Sequence, residues 1–341
     1  MSDKDHNWTL PVTYLKVFLQ YASTRQIAVE PLLQDTGLDT QALLGSEQRI
    51  RFDDMRLVLR RVTRRLGAGW HLDLAERLTV SAHGALGFAV VTAPDMRASL
   101  DVLLRFFGIR GPFLWSAGAL EGEQYVIRFF EALEMGEERQ LLVELALLSV
   151  QSLIERPLGR PLDSARIALA YPAPEYRDKL ERSFHASLSY RARRHSLRIP
   201  ASWLERPCAM QDEAMHRYLL ARCKEELQLA AGSLPAEIAV RQALLSRLDA
   251  TPGLQEIAAA QNVSPRTLNR RLKSGSTSYR DILDDVRRTL AVDYLLNSNT
   301  SVNRIAYRLG YQDPSNFGRA FRAWFGVPPG QYRTRGQKNT R

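Results

Sequence analysis

The chain has 341 residues, 45% of them hydrophobic and 25% charged. That composition belongs to a folded globular protein of about two domains, and excludes a peptide, a collagen-like repeat and a largely disordered chain. Its formal net charge is +10, from 47 basic and 37 acidic residues, a balance that favours a polyanionic partner.

In chain order, Val12, Leu15, Leu19 and Ala22 recur at helical spacing and predict a helix over 11–22. Asp53 to Leu66 predicts another, ended by Gly67 and Gly69. Its Arg56, Arg60, Arg61, Arg64 and Arg65 read as a solvated face opposite Met55, Leu59 and Val62 rather than as a binding face. Leu78 to Pro94 is the most apolar long stretch, but it is too short for a membrane span and is interrupted by Ser81, His83, Gly84 and Gly87. His83 there reads as a hydrogen-bonded core residue.

Asp95 predicts the N-cap of a helix running to Phe107. Phe113 to Ala117 and Tyr125 to Phe130 read as strands around a turn at Gly118 to Glu123. A long helix is expected over Glu137 to Ile154, stopped before Pro157. Ala165 to Ala170 and Ser187 to Arg191 are further strand candidates, with a helix near Glu175 to Ser183 between them. Asp212 to Ala230 is again helical, and Gly232, Ser233, Leu234 and Pro235 mark a boundary. The helices over 137–154 and 212–230 are both candidate surfaces for a homodimer. The polar end from Thr334 to Arg341 is expected to fray.

Two cysteines, Cys208 and Cys223, form no CxxC pair. They support neither a metal cluster nor a disulfide framework, and point to a reducing cytosol. The polar N-terminus lacks a signal-peptide pattern, so a soluble intracellular protein is expected.

The excess charge is not spread evenly. From Ala236 to Arg341 there are 17 basic and 8 acidic residues, leaving 30 and 29 in the remainder. A near-neutral body with a basic C-terminal third is the electrostatic outline of a nucleic-acid binder with a separate sensing or assembly part.

That basic third holds an internal repeat. Ile257-Ala258 and Ile305-Ala306 lie 48 residues apart, whereas Pro265 and Pro314, Leu268 and Phe317, and Leu272 and Phe321 lie 49 apart. The one-residue difference falls in a turn. Each copy follows helix-turn-helix logic: a short helix with a small Ala that permits a close crossing, a turn, then Ser264 or Asp313 capping a helix with Pro at its first position. Leu268 and Leu272, like Phe317 and Phe321, are four apart and face inward.

Arg266, Asn269, Arg270 and Lys273 then point outward in the first copy, and Ser315, Asn316, Arg319 and Arg322 in the second. Arg270 and Arg319 occupy equivalent positions. Arginine can bridge guanine O6 and N7, and asparagine adenine N6 and N7. Arg271, Lys273 and Arg322 suit phosphates, which position a protein without reading sequence. Between the copies, Ile282, Leu283, Val286, Leu290, Tyr294 and Leu295 predict a helix over 279–297 that can hold two recognition helices near one duplex turn apart.

The stretches Ile305 to Tyr311, Ser315 to Phe321 and Phe325 to Arg333 resemble the signature of the AraC/XylS family of bacterial transcription regulators, and the likeness spans about 235–333. The resemblance implies seven helices, binding to double-stranded promoter DNA and contact with RNA polymerase. It assigns base contacts to Arg266, Asn269, Arg270, Ser315, Asn316 and Arg319. Pro314 departs from the longer polar residue that many members carry there.

Residues of about 10–208 are similar to the arabinose-binding-type sensor domain of one branch of that family, through Gly84 to Gly87, Ala93-Pro94, Arg194 to Pro200 and Leu204 to Pro207. This implies a small-molecule effector and a homodimer. Arg110, Trp115, Tyr125 and Arg128 are the candidate effector residues, aromatic walls with arginines to meet an anionic group.

The expected architecture is an α+β N-terminal sensor domain over 8–208, a connecting helix and linker over 209–234, an all-α C-terminal domain with two helix-turn-helix units joined by a long helix over 235–333, and a flexible tail over 334–341. No catalytic residue, metal site or cofactor is expected: HExxH, GxSxG, P-loop and GxGxxG patterns are absent from the sequence. The expected function is sequence-specific transcription regulation, most simply activation, in the bacterial cytoplasm and on the nucleoid when bound. The alternative is a non-specific or architectural DNA-binding protein without small-molecule control.

Overall fold

A computed structural model describes residues 9–38, 49–111, 113–131, 135–233, 236–246, 248 and 250–338. The chain divides into two compact units, 1–234 and 235–341. Trp8, the boundary residues Leu234 and Pro235, and the last three residues of the predicted tail lie outside the described residues.

The first unit opens with strand β1 (Thr9–Pro11), helix α1 (Val12–Thr24), α2 (Glu30–Leu33), β2 (Arg49–Arg51), α3 (Phe52–Leu66), α4 (Gly84–Val91) and α5 (Met96–Phe106). Strands β3 (Leu114–Glu121) and β4 (Gln124–Glu131) follow, then α6 (Arg139–Leu158), β5 (Arg166–Ala168), α7 (Arg177–Ser183), β6 (Ser187–Ser189), β7 (His195–Pro200) and α8 (Glu213–Ser233). The periodic residues Val12, Leu15, Leu19 and Ala22 of α1 are all buried. The Asp95 carboxylate accepts from the Ala98 amide at 2.8 Å and caps α5.

The main sheet runs β3-β4-β7-β5-β6. Its pairs are antiparallel except β5 with β6. An α+β unit is thus observed, but its middle strand, β7, was not among the expected strands. The predicted turn over Gly118 to Glu123 shrinks to Gly122 and Glu123, because Glu121 already pairs with Gln124. Gly118 sits inside β3, where a Cβ would come within 2.1 Å of the Tyr125 hydroxyl. Close approach, not a turn, requires glycine there.

Helix α6 also departs from expectation. It runs through Pro157 and ends on Gly159 at φ 72°. A proline in the last turn removes one hydrogen bond, and the helix closes with the Gly159 amide on Glu155 O at 2.8 Å. α6 is buried along most of its length, so it forms the interior of this unit and not a free dimer surface. Its Glu144 carboxylate accepts from His71 Nε2 at 2.6 Å and Tyr171 Oη at 2.7 Å.

The basic face of α3 is not simply solvated. Arg56 and Arg60 donate through Nε to Glu138 at 3.1 and 2.7 Å. Arg61 donates to Leu32 O at 3.0 Å. A nearly buried carboxylate recruits two of these arginines, because an unpaired buried charge is costly. Arg64 and Arg65 remain exposed.

Residues 209–233, read as a connector, lie within the first unit. α8 packs against α4 and α5, and its His216 Nδ1 shares a hydrogen bond of 2.9 Å with Ala89 O. Cys208 and Cys223 are free and buried. Burial pushes their thiols up to about 11 and about 12, which keeps both protonated and unreactive.

Among the described residues, the second unit has seven helices: α9 (Ala236–Ser246), α10 (Leu254–Ala260), α11 (Pro265–Ser274), α12 (Tyr279–Asn297), α13 (Val302–Arg308), α14 (Pro314–Phe325) and α15 (Pro329–Lys338). α15 carries the first residues of the predicted tail as helix up to Lys338. α12 packs against α9, α13 and α15. Among the described residues, no helix is long and apolar enough to cross a membrane. No group of three or more His, Cys, Asp or Glu among them could hold a metal ion.

Candidate nucleic-acid interface and effector cavity

The sequence repeat is also a hydrogen-bond repeat. In the first copy, the amides of Gln261, Asn262 and Val263 donate to Ile257 or Ala258, Ala259 and Ala258 carbonyls. In the second, the amides of Leu309, Gly310 and Tyr311 donate to Ile305 or Ala306, Tyr307 and Ala306. Both turns bend through a left-handed residue, Asn262 at φ 53° and Gly310 at φ 73°. The extra residue of the second copy, Gln312, lies just beyond.

Each second helix then starts on a side-chain cap. Ser264 Oγ accepts from the Thr267 amide at 3.1 Å, and Asp313 Oδ1 from the Ser315 amide at 2.8 Å. Pro265 and Pro314 open the two helices. Ile257, Ala258, Leu268, Leu272, Ile305, Ala306, Phe317 and Phe321 are buried. Phe321 centres a ring cluster with Phe317, Phe325 and Tyr332, their centroids 4.6–5.7 Å away.

Burying those rows turns the opposite faces of α11 and α14 outward. Arg266, Asn269, Arg270, Arg271 and Lys273 are exposed on α11, and Ser315, Asn316, Arg319 and Arg322 on α14. Arg319 Nη2 donates to Asn316 Oδ1 at 2.6 Å, which holds the two side chains together on the surface. The spacer α12 has 19 residues, about 28 Å by helical rise. Such a pair of helix-turn-helix units, each with its recognition helix exposed, is a DNA-binding device.

A cavity of about 80 Å³ lies in the first unit. Its walls include Phe18, Met55, Leu103, Phe113, Leu142 and Leu153, from α1, α3, α5 and α6 and the loop before β3. Tyr14, His83, Arg110 and Ser149 supply its polar side chains. Tyr14 Oη and His83 Nδ1 share a hydrogen bond of 2.9 Å. Burial, joined by the nearby charge of Arg110, lowers the His83 pKa to about 4, against a smaller opposing effect of the Leu78 backbone. Burial raises the Tyr14 phenol to about 12. Both groups are therefore neutral near pH 7.

Of the candidate effector residues, only Arg110 reaches this cavity. Trp115 stacks on its cross-strand partner Phe130 at 3.7 Å, and Arg128 donates to Glu121 at 2.7 Å. Strand alternation puts both on the sheet face opposite Phe129, whose ring lies 6.0 Å from the cavity residue Phe107. Tyr125 shares the Phe129 face but sits four residues away, beside Gly118. His83, expected as hydrogen-bonded core, is that and a cavity wall as well. Gly84 and Gly87 make room: a Cβ on Gly84 would meet Arg110 Nη2 at 2.1 Å, and one on Gly87 the Val80 carbonyl at 2.1 Å.

The fold and sites define a two-unit DNA-binding protein. Residues 27–208 match the arabinose-binding domain of AraC transcription regulators, and residues 257–335 a helix-turn-helix domain. The chain belongs to the AraC-type transcription regulators. The ornithine utilization regulator of Pseudomonas aeruginosa is 28% identical over 329 residues, 95% of this chain and 96% of that protein. The transcriptional activator NphR of Rhodococcus sp is 39% identical over 85 residues, 25% of each chain. The crystal structure of the transcriptional regulator CdpR from Pseudomonas aeruginosa matches 94% of this chain and 98% of its own, at 21% identity and a TM-score of 0.46.

Proposed function

We propose that the chain is a one-component regulator that binds promoter DNA sequence-specifically through α11 and α14, under control of a small molecule in the N-terminal cavity. Arg270 and Arg319 are assigned to guanine edges, Asn269 and Asn316 to adenine edges, and Arg266 and Ser315 to neighbouring base positions. Arg271, Lys273 and Arg322 are assigned to phosphates. Activation through contact with RNA polymerase, a homodimer, and residence in the cytoplasm and on the nucleoid complete the proposal. It contains no catalytic step and no cofactor.

The observation that carries it is the repeated pairing, in both helix-turn-helix units, of a buried apolar row with exposed arginine and asparagine on a capped helix. Specific base readout needs such side chains on rigid elements, whereas architectural binding can rest on phosphates alone.

The test is capture of fragmented host DNA by the purified full-length chain, followed by sequencing. A few sharp peaks upstream of genes are expected. Even coverage across the genome, with or without pools of small metabolites, would leave the architectural alternative standing instead.

A further inference from the structure

Arg110 is the only charged side chain among the described residues lining the cavity. Its Nη2 donates to Glu226 Oε2 on α8 at 3.0 Å. Its Nε is buried and has no hydrogen-bond partner among the described residues. Nε and Nη2 form one edge of the guanidinium, the edge that a carboxylate grips with both oxygens. Glu226 takes Nη2 alone and leaves Nε without a partner among the described residues, an arrangement that an anion gripping both nitrogens would improve.

The surrounding charge points the same way. Arg49 is close enough to Arg110 and Glu226 to feel both charges. Two cations and one anion leave an excess positive charge beside a mainly apolar chamber. Glu226 is 29% exposed, so water can hydrate it once it is released.

We infer that the cavity takes a small amphipathic carboxylate, its apolar body against Phe18, Met55, Leu103 and Phe113 and its two oxygens on the Nε–Nη2 edge of Arg110, displacing Glu226. Glu226 is thus a built-in competitor for the ligand's place. It stands on the last element of the sensor unit, from which the chain continues into the DNA-binding unit. Ligand binding releases α8 from Arg110, and this gives the effector different affinities for two states, as any switch requires. The inference rests on the reading of the first unit as an effector sensor.

The test is titration calorimetry of the full-length chain with straight-chain carboxylates from propionate to octanoate, beside the matching primary amides and alkylamines. Carboxylates are expected to bind about tenfold to a hundredfold more tightly than amides of equal length, as for loss of a charge-assisted pair. Arg110→Gln is expected to erase that preference. Glu226→Gln, on a partly exposed helix position, is expected to tighten carboxylate binding because it weakens the competitor. Amides binding as well as carboxylates, or weaker carboxylate binding by Glu226→Gln, would overturn the inference. Binding by amines or amides but not carboxylates would overturn the ligand class and leave effector sensing intact. No binding by any of the three series would overturn both.

Discussion

Arg287, near the middle of the helix joining the two helix-turn-helix units, donates through Nε to the carbonyl of Leu309 at 2.9 Å. Its Nη2 reaches Gly310 O at 3.1 Å, and its guanidinium lies over the Tyr311 ring at 4.3 Å. One side chain of the spacer therefore satisfies the two carbonyls exposed where the second turn bends, and stacks on the residue after them. The same Nη2 comes within 3.5 Å of Thr251 Oγ1, just before α10, the leading helix of the first helix-turn-helix. The spacer is thus tied to both helix-turn-helix motifs, and their separation is a built feature of this domain.

Arg287→Ala should leave both carbonyls short of a donor and cost about 2–3 kcal/mol of local stability. Hydrogen exchange resolved along the full-length chain checks this. Faster exchange is expected at Leu309, Gly310 and Tyr311, with the β3–β4 hairpin unchanged. Protection equal to the parent at all three amides would show that α12 does not hold the turn.

The two left-handed turn residues should respond differently to substitution. A Cβ on Gly310 would come within 2.1 Å of Thr251 Oγ1 and 2.5 Å of the Leu248 carbonyl. Gly310→Ala should therefore cost about 2–4 kcal/mol, from left-handed strain and overpacking together. Asn262, at φ 53°, is exposed and already tolerates its side chain. Asn262→Gly should change stability by less than about 1 kcal/mol. Urea unfolding of the two variants measures the contrast.

His83 predicts a pH dependence. Its folded-state pKa is depressed to about 4 from 6.5, so the unfolded chain takes up a proton in that window and the folded chain does not. The contribution is full above pH 6.5 and is lost as the pH falls through about 4, by up to about 3 kcal/mol. Tyr14 and Arg110 face the ring, and Tyr14, its phenol raised to about 12, stays neutral across that range. Denaturation midpoints between pH 7 and pH 4 should fall more steeply in the parent than in His83→Gln. Equal slopes would mean that the ring is solvated or already charged.

The DNA-binding unit was legible because its evidence is local and repeated. Offsets of 48 and 49 residues, two prolines and two capping residues fall within short windows of sequence. The sensor unit hides more. β7 offers only Leu197 and Ile199 alternating with Ser196 and Arg198 before a proline, a faint signal beside the run of arginines ahead of it. Pro157 looked like a helix stop because its position in the last turn is set by Gly159, two residues later. The cavity draws its walls from Leu10 to Leu153, so no window of sequence contains it. Trp115 and Arg128 have the residue types of a ligand pocket, but the register of β3 against β4 decides which face they occupy.

The most direct test of base readout compares the full-length parent with Arg270→Ala/Arg319→Ala on a captured genomic site and on a scrambled duplex of the same length, at one fixed salt concentration. Each lost base contact is expected to cost about 1–3 kcal/mol on the true site, so affinity there should fall by at least about thirtyfold for the pair. Affinity for the scrambled duplex should change far less, because the phosphate contacts proposed for Arg271, Lys273 and Arg322 are left untouched. An equal loss on both duplexes would contradict base reading by these arginines and assign them to the phosphate backbone.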